Sequence, residues 1–195
     1  MTAISSLQSI HKKGIFGDHH KQNQKDLTQI SEIKNLNIIN IVKYKKSRVE
    51  LENIDIDGLK ISKENSKVSS NTKTRILWIG PDSWLVISKN ENILGILNKS
   101  CGDKNFAITD ISHSRSIIQI KGACSKEILK KGCPLNFYNF DKDNCAGSVF
   151  HGINIVVDLI DNNPDTFNIL TLRSFGESFY HHITDASLEF GYVGL

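Results

Sequence analysis

Asp110 and His113 are the residues of this chain whose types and spacing come nearest to chemistry. An aspartate that orients a histidine is the beginning of a general base or of an activated nucleophile. The third member is missing, because no serine or cysteine sits in a Gly-x-Ser-x-Gly elbow. In Asp110-Ile-Ser-His113 the short polar side chains suit bonding to nearby backbone. We therefore expect Asp110, Ser112 and His113 to hold a corner.

Other candidate groups divide the same way. The four cysteines, Cys101, Cys124, Cys133 and Cys145, are spaced by 23, 9 and 12 residues with no Cys-x-x-Cys, which does not support a zinc site. Reduced thiols in or near a core are the plainer reading. His19 and His20 are adjacent and would point to opposite faces of a strand, so a solvated loop is expected there. His181 and His182 fall on different faces of a helix. No Gly-x-Gly-x-x-Gly and no phosphate-cradling loop ending in Gly-Lys-Ser/Thr occurs, so a dinucleotide or nucleotide site is unsupported. Lys43, Lys45, Lys46 and Arg48 read either as a patch for phosphate or an acidic partner, or as a solvated strand end. Trp78 and Trp84 flank Gly80-Pro81-Asp-Ser83 and are either a stacking platform or core and interface area.

These residues need elements to position them. The 195 residues suit one domain or two small lobes, and a hydrophobic fraction of 39% suffices for a core. The 24 basic and 21 acidic side chains, net +3, are too balanced to argue for nucleic acid. No apolar run approaches the ~20 residues of a membrane helix. The first ten residues do not resemble a secretory signal, so a cytoplasmic protein is expected.

Residues 1–35 are polar and irregular, with scattered Ile4, Leu7, Ile10, Ile15 and Phe16, and read as an extended N-terminal arm, either mobile or ordered by a partner. The rest, residues 36–195, reads as the folded α+β domain. Leu36–Tyr44 is a strand. Residues 50–73 are loop with at most one short strand. Arg75–Ser88 is a hairpin turned by proline and aspartate. Asn90–Cys101 is a helix, Phe106–Ile111 a strand, and Ile117–Ile120 a β-branched strand. Gly122–Lys131 is a short helix, with Gly132 expected to be left-handed at its end and Pro134 as the stop. Two strands meet at a tight His151-Gly152 turn, and Phe167–Leu172 is another strand. The last helix starts at Ser174 with Glu177 in capping-box spacing and ends at Gly191. From Trp84 the order strand, helix, strand, strand, helix matches a split βαβ, ferredoxin-like pattern. It predicts a mixed, mostly antiparallel sheet with helices on one face.

Several stretches carry a family resemblance. Leu77-Trp78-Ile-Gly80-Pro81-Asp-Ser-Trp84-Leu85, Asp110-Ile-Ser112-His113, Gly122, Lys131-Gly132-Cys133-Pro134-Leu135 and Arg173-Ser174-Phe175 resemble the gamma subunit of heterotetrameric sarcosine oxidase. More distantly the chain resembles the aminomethyltransferase (glycine-cleavage T-protein) superfamily. The match spans roughly residues 75 to 190.

The resemblance implies a folate-binding-domain-like α+β fold with a ferredoxin-like sublobe. It implies a complex with alpha, beta and delta subunits that oxidatively demethylates sarcosine to glycine, hydrogen peroxide and 5,10-methylenetetrahydrofolate. FAD, FMN, NAD, zinc and tetrahydrofolate would belong to the other subunits, and this chain would be structural, with no catalytic, cofactor or metal residue of its own. The corresponding subunit of an N-methylglutamate dehydrogenase complex is a close variant. A stand-alone folate-binding or aminomethyl-transferring protein is the rival. Against that rival, the aminomethyltransferase pattern Asp-Asp-Leu is Val157-Asp158-Leu159 here, which removes a carboxylate that would handle a cationic amine.

Overall fold

The computed structural model describes residues 5–19, 23 and 26–195. In chain order the strands are β1 (Gly14–Phe16), β2 (Thr28–Ile33), β3 (Asn37–Lys43), β4 (Asp55–Ile56), β5 (Leu59–Lys60), β6 (Val68–Ser70), β7 (Thr74–Gly80), β8 (Ser83–Ser88), β9 (Phe106–Asp110), β10 (Arg115–Lys121), β11 (Cys145–Phe150), β12 (Ile153–Asn162), β13 (Asp165–Leu172) and β14 (Tyr192–Gly194). The α-helices are α1 (Ile93–Cys101), α2 (Ser125–Lys130) and α3 (Gly176–Ser187). Two compact units result. The first takes the described residues of Met1–Lys34 with His113–Lys142 and Gly147–Leu195; the second takes Asn35–Ser112 and Asp143–Ala146.

The second unit is built on a five-stranded sheet in the order β6-β7-β8-β3-β9. β8 and β9 are each antiparallel to β3, so they run parallel to one another, joined by α1, with β3 between them. The strand, helix, strand of the predicted split βαβ is present here, with β3 from upstream between the two strands, but the strand and helix expected to follow, β10 and α2, belong to the first unit. Alternation along the paired strands puts Ile39, Ile41, Trp84, Val86 and Ile76 on one face, where Ile93 and Leu97 of α1 join the same core. The other face is apolar too, with Ile38, Leu77, Leu85 and Ile87 buried, which is why β8 lacks a polar-apolar alternation. Residues 50–73, expected as loop with one short strand at most, contribute three short strands, β4, β5 and β6. β4 and β5 form a hairpin whose turn residues, Asp57 and Gly58, both have positive φ (54° and 79°). Asp-Gly is a sequence signal for that turn, but each strand is only two residues long, too short to show a period.

The first unit is a seven-stranded sheet ordered β1-β14-β2-β10-β13-β12-β11. β10 pairs antiparallel with β13 and β2, and β14 pairs in parallel with β2. Ile118, Ile120, Phe167 and Ile169 share the face that carries Ser116, beside which the first residue of α3, Gly176, is set. Ile128 and Leu129 of α2, and Phe179 and Ile183 of α3, are buried in this unit.

The described part of residues 1–35 is not a separate arm. It supplies β1 and β2, and β2 is an interior strand paired on both sides. Leu7, Leu27 and Ile30 are buried. The segment's few apolar side chains suffice because two neighbouring strands satisfy its backbone. Ile4 and His20 lie outside the described residues.

Two end signals of helices also resolve differently. Gly132 does not have a positive φ; Lys131 is still in the right-handed helical region, and α2 covers only six residues. Ser174 lies inside a 3-10 turn, Arg173–Phe175, and makes no side-chain cap, while α3 starts at Gly176 and ends at Ser187. Glu177 accepts a hydrogen bond from Ser9 Oγ at 2.7 Å. The Ser-x-x-Glu spacing is present, but the preceding turn moves the cap position one residue on, to Phe175, so the capping geometry is lost.

Candidate functional site

The residues singled out by type and spacing resolve into four places. The first is the corner at the end of β9, within the second unit. Asp110 Oδ1 accepts from the Ser112 backbone N–H at 2.9 Å and from Ser112 Oγ at 2.6 Å. Ser112 Oγ in turn accepts from the Ile38 N–H at 2.9 Å, and Ile111 N–H donates to Ile38 O at 2.9 Å. The carboxylate thus fixes a hydroxyl that fastens the corner to the start of β3. Asp110→Ala is expected to lower stability by about 1 kcal/mol, the net worth of such a bond. Thermal unfolding of the chain tests this. An unchanged melting temperature would show that the corner does not depend on this carboxylate.

The second place lies in the first unit and joins sequence stretches 60 residues apart. In the antiparallel register Arg115, which opens β10, faces Leu172, which closes β13. That pairing sets His113 and Ser114 beside Arg173, Ser174 and Glu177 around a recess of about 590 Å³. Leu172 at this recess remains 39% exposed. Burial holds the Arg115 guanidinium below its usual pKa.

Gly132, Cys133 and Pro134 form the third place, also in the first unit. The β11–β12 turn is tight, His151 and Gly152 both having positive φ (46° and 83°). It folds over Gly132, whose carbonyl accepts from His151 N–H at 3.1 Å. A Cβ on Gly132 would lie 2.8 Å from His151 Cδ2, so close approach is what this position needs from glycine. Cys133 is buried with Sγ 3.3 Å from Ser148 Oγ, and Pro134 is exposed. The His151 ring lies against the His182 ring, centroids 5.1 Å apart.

The fourth place is the hairpin of the second unit. Trp78 and Trp84 are directly opposed across β7 and β8, with a register shift between Trp78 and Gly80 and a turn at Pro81-Asp82. Trp84 is 1% exposed and donates from Nε1 to Ser62 O at 3.0 Å. Trp78 is half-buried and, with Pro81, lines a hollow of about 670 Å³ that also carries Lys43, Arg48 and Lys63. One tryptophan is therefore core and the other borders a surface.

Cys101, Cys133 and Cys145 are buried, and burial pushes the Cys101 thiol up to about 11, away from the thiolate that a nucleophile needs. Burial and the nearby Glu127 also raise Cys124. Among the described residues no group of three or more His, Cys, Asp and Glu could hold a metal ion, and no helix is long and apolar enough to cross a membrane. Asp158 has no exposed surface and faces Asn168, which accepts from Gln119 Nε2 at 2.9 Å. It belongs to a polar row across β10, β13 and β12 on the sheet face away from Ser116.

Sequence reading missed a second polar cluster. Asp57 accepts from Thr74 Oγ1 at 2.5 Å and from Asn90 Nδ2 at 3.0 Å, and its carbonyl accepts from Asn71 Nδ2 at 2.8 Å. The Asp-Gly turn was the available signal; its partners come from two other segments, the Asn71–Thr74 turn and Asn90.

Two α+β units whose motif residues form corners and recesses define a sheet-rich protein of aminomethyltransferase-type fold. The glycine cleavage system aminomethyltransferase T from Bartonella henselae superposes with a TM-score of 0.61 at 11% identity, covering 86% of this chain and 48% of that one. A chain of the heterotetrameric sarcosine oxidase from Corynebacterium sp. U-96, in complex with pyrrole 2-carboxylate, superposes with a TM-score of 0.77 at 22% identity, covering 86% and 87%. The chain belongs to the sarcosine oxidase, gamma subunit family, whose model matches residues 55–189. Sarcosine oxidase subunit gamma of Corynebacterium sp. (strain U-96) is 30% identical over 118 residues, and that of Arthrobacter sp is 28% identical over 120 residues. Each match takes 60% of this chain and 58% of the relative, so the chain spans less than two thirds of the length of these curated relatives.

Proposed function

We propose that this chain is a non-catalytic subunit of a sarcosine oxidase-like complex. There it assembles with alpha, beta and delta subunits, and the complex oxidatively demethylates sarcosine to glycine, hydrogen peroxide and 5,10-methylenetetrahydrofolate. FAD, FMN, NAD, zinc and tetrahydrofolate belong to the other subunits in this reading, and the assembly is cytoplasmic. The observation that carries it is the family match over residues 55–189, which takes in the hairpin, the Asp110 corner, the Gly132 turn and the His113–Arg173 recess. The geometry agrees in kind. Asp110 is used by its own corner, and Asp158, the acid nearest the aminomethyltransferase pattern, is wholly buried.

Co-expression with the alpha, beta and delta chains tests the proposal. The chain is expected to co-purify in a stable complex that forms hydrogen peroxide from sarcosine, and its omission is expected to lower the yield of that complex several-fold. Saturable tetrahydrofolate binding by the isolated chain, with no capture of partner chains, would overturn it in favour of a stand-alone folate protein. Preference of the complex for N-methylglutamate would move the chain to the corresponding dehydrogenase.

A further inference from the structure

One end of the second unit's five-stranded sheet carries a concentrated positive surface that neither the fold nor the subunit reading uses. Lys43 closes β3, and a tight turn follows, with Ser47 N–H donating to Tyr44 O at 2.9 Å and Lys45 and Lys46 at its corners. Tyr44 N–H donates to Asn105 O at 2.9 Å, and Ser47 Oγ to Asn105 Oδ1 at 2.9 Å. These bonds tie the turn to the loop before β9, which adds Lys104, a cation remote in sequence. Lys45, Lys46, Arg48 and Lys104 therefore converge around a depression of about 610 Å³, together with Tyr44, which is 44% exposed. Among the described residues none of these four cations forms an ion pair, although Lys63 nearby pairs with Glu50 and Glu52 at 3.7 and 2.5 Å. Like charges held together by a hydrogen-bonded scaffold without counter-charges raise the local potential and favour an anionic partner.

The neighbouring hollow narrows the kind of partner. Arg48 lines both depressions, and the second one adds Glu50 and Asp82 beside Lys43 and Lys63. A phosphodiester chain running across both would meet those carboxylates with its own charge. An acidic polypeptide that ends or changes sign after a few residues would not. Tyr44 and the methylene stems of the lysines supply apolar contact of the sort peptides use. We propose that this face docks an acidic segment of another protein chain, with carboxylates on Lys45, Lys46, Arg48 and Lys104. Resting on the subunit reading above, the segment belongs to a partner chain of the same complex.

The test uses the full chain and two double variants. Lys45→Glu/Lys46→Glu reverses the patch. Lys73→Glu/Lys89→Glu makes the same change in net charge at the opposite end of the sheet, where Thr74 pairs with Ser88. Binding of a fluorescein-labelled Glu/Asp-rich peptide is followed by anisotropy. The patch variant is expected to bind roughly tenfold or more weakly than the parent, and the control variant to within about twofold. Parent affinity should also fall as salt rises. Equal loss in both variants, or tighter binding of single-stranded DNA of the same charge than of the peptide, would overturn the proposal. Co-purification separates the two readings. If the parent and the patch variant hold partner chains equally well, the patch proposal is overturned and the subunit reading stands. If the parent captures no partner chain, the subunit reading fails, and the peptide comparison alone decides the patch.

Discussion

Trp84→Ala is expected to lower the unfolding free energy of the second unit by about 3–5 kcal/mol, the range for truncating a buried aromatic. Trp84 is 1% exposed and shares a core with Ile41, Val86 and Ile76. Its removal also takes away the indole N–H that donates to Ser62 O, which fastens the residue 61–62 segment over the hairpin. Because folded domains are stable by only about 5–15 kcal/mol, this single change consumes a large share. Urea unfolding followed by far-UV circular dichroism measures it. Trp84→Phe separates the contributions: a much smaller loss assigns most of the effect to volume, and an equal loss assigns it to the hydrogen bond. A midpoint unchanged in Trp84→Ala would show that the indole is a surface platform after all.

The second large effect is expected at Gly122. Its φ is +149°, and a Cβ there would lie 2.8 Å from Thr28 Cα and 3.0 Å from Thr28 Oγ1. Thr28 is backbone of β2, which pairs with β10 next to this point through Gln29 and Lys121. Gly122→Val must therefore adopt a conformation costing about 1–3 kcal/mol and push a central strand aside for about 1–3 kcal/mol more. A total loss of about 2–6 kcal/mol in the first unit is expected, with Gly122→Ala smaller but in the same direction. Hydrogen exchange should show faster opening of β2 than of β7 or β8 in this variant. Unaltered stability of Gly122→Val would mean that β2 moves aside at little cost.

The misreadings have physical causes. Thr28-Gln-Ile-Ser-Glu-Ile33 holds only two large apolar residues, so its periodicity is faint. It becomes an interior strand because β10 and β14 complete its hydrogen bonds, and both partners lie far along the chain. At Ser174 and Glu177 the capping spacing is a local fact, but Ser9 takes the Glu177 carboxylate and a 3-10 turn occupies Ser174. Gly132 had two reasons to be glycine, backbone freedom or close approach. Only the position of the His151 turn shows that it is the second.

The family motifs behave similarly. The stretches at Trp78, Asp110, Gly132 and Arg173 are recognisable as strings, and the family match over residues 55–189 bears the resemblance out. Which residues remote in sequence each stretch meets is not recoverable from the strings. His113 meets Arg173 through the β10–β13 register, and Lys104 meets Lys45 through two bonds to Asn105.

By itself the sequence determined the features whose causes are local. These are the β7–β8 hairpin with its Pro-Asp turn, α1 with its helical spacing, the His151-Gly152 turn, and the α+β class with its split βαβ. Tertiary structure alone decided the rest. It chose which faces of the two sheets are buried, drew the amino-terminal residues into the seven-stranded sheet, and separated Asp110 and Ser112 from His113 into different units. Each of those outcomes depends on hydrogen bonds and packing between segments distant in sequence, and local periodicity and turn chemistry contain no information about such partners.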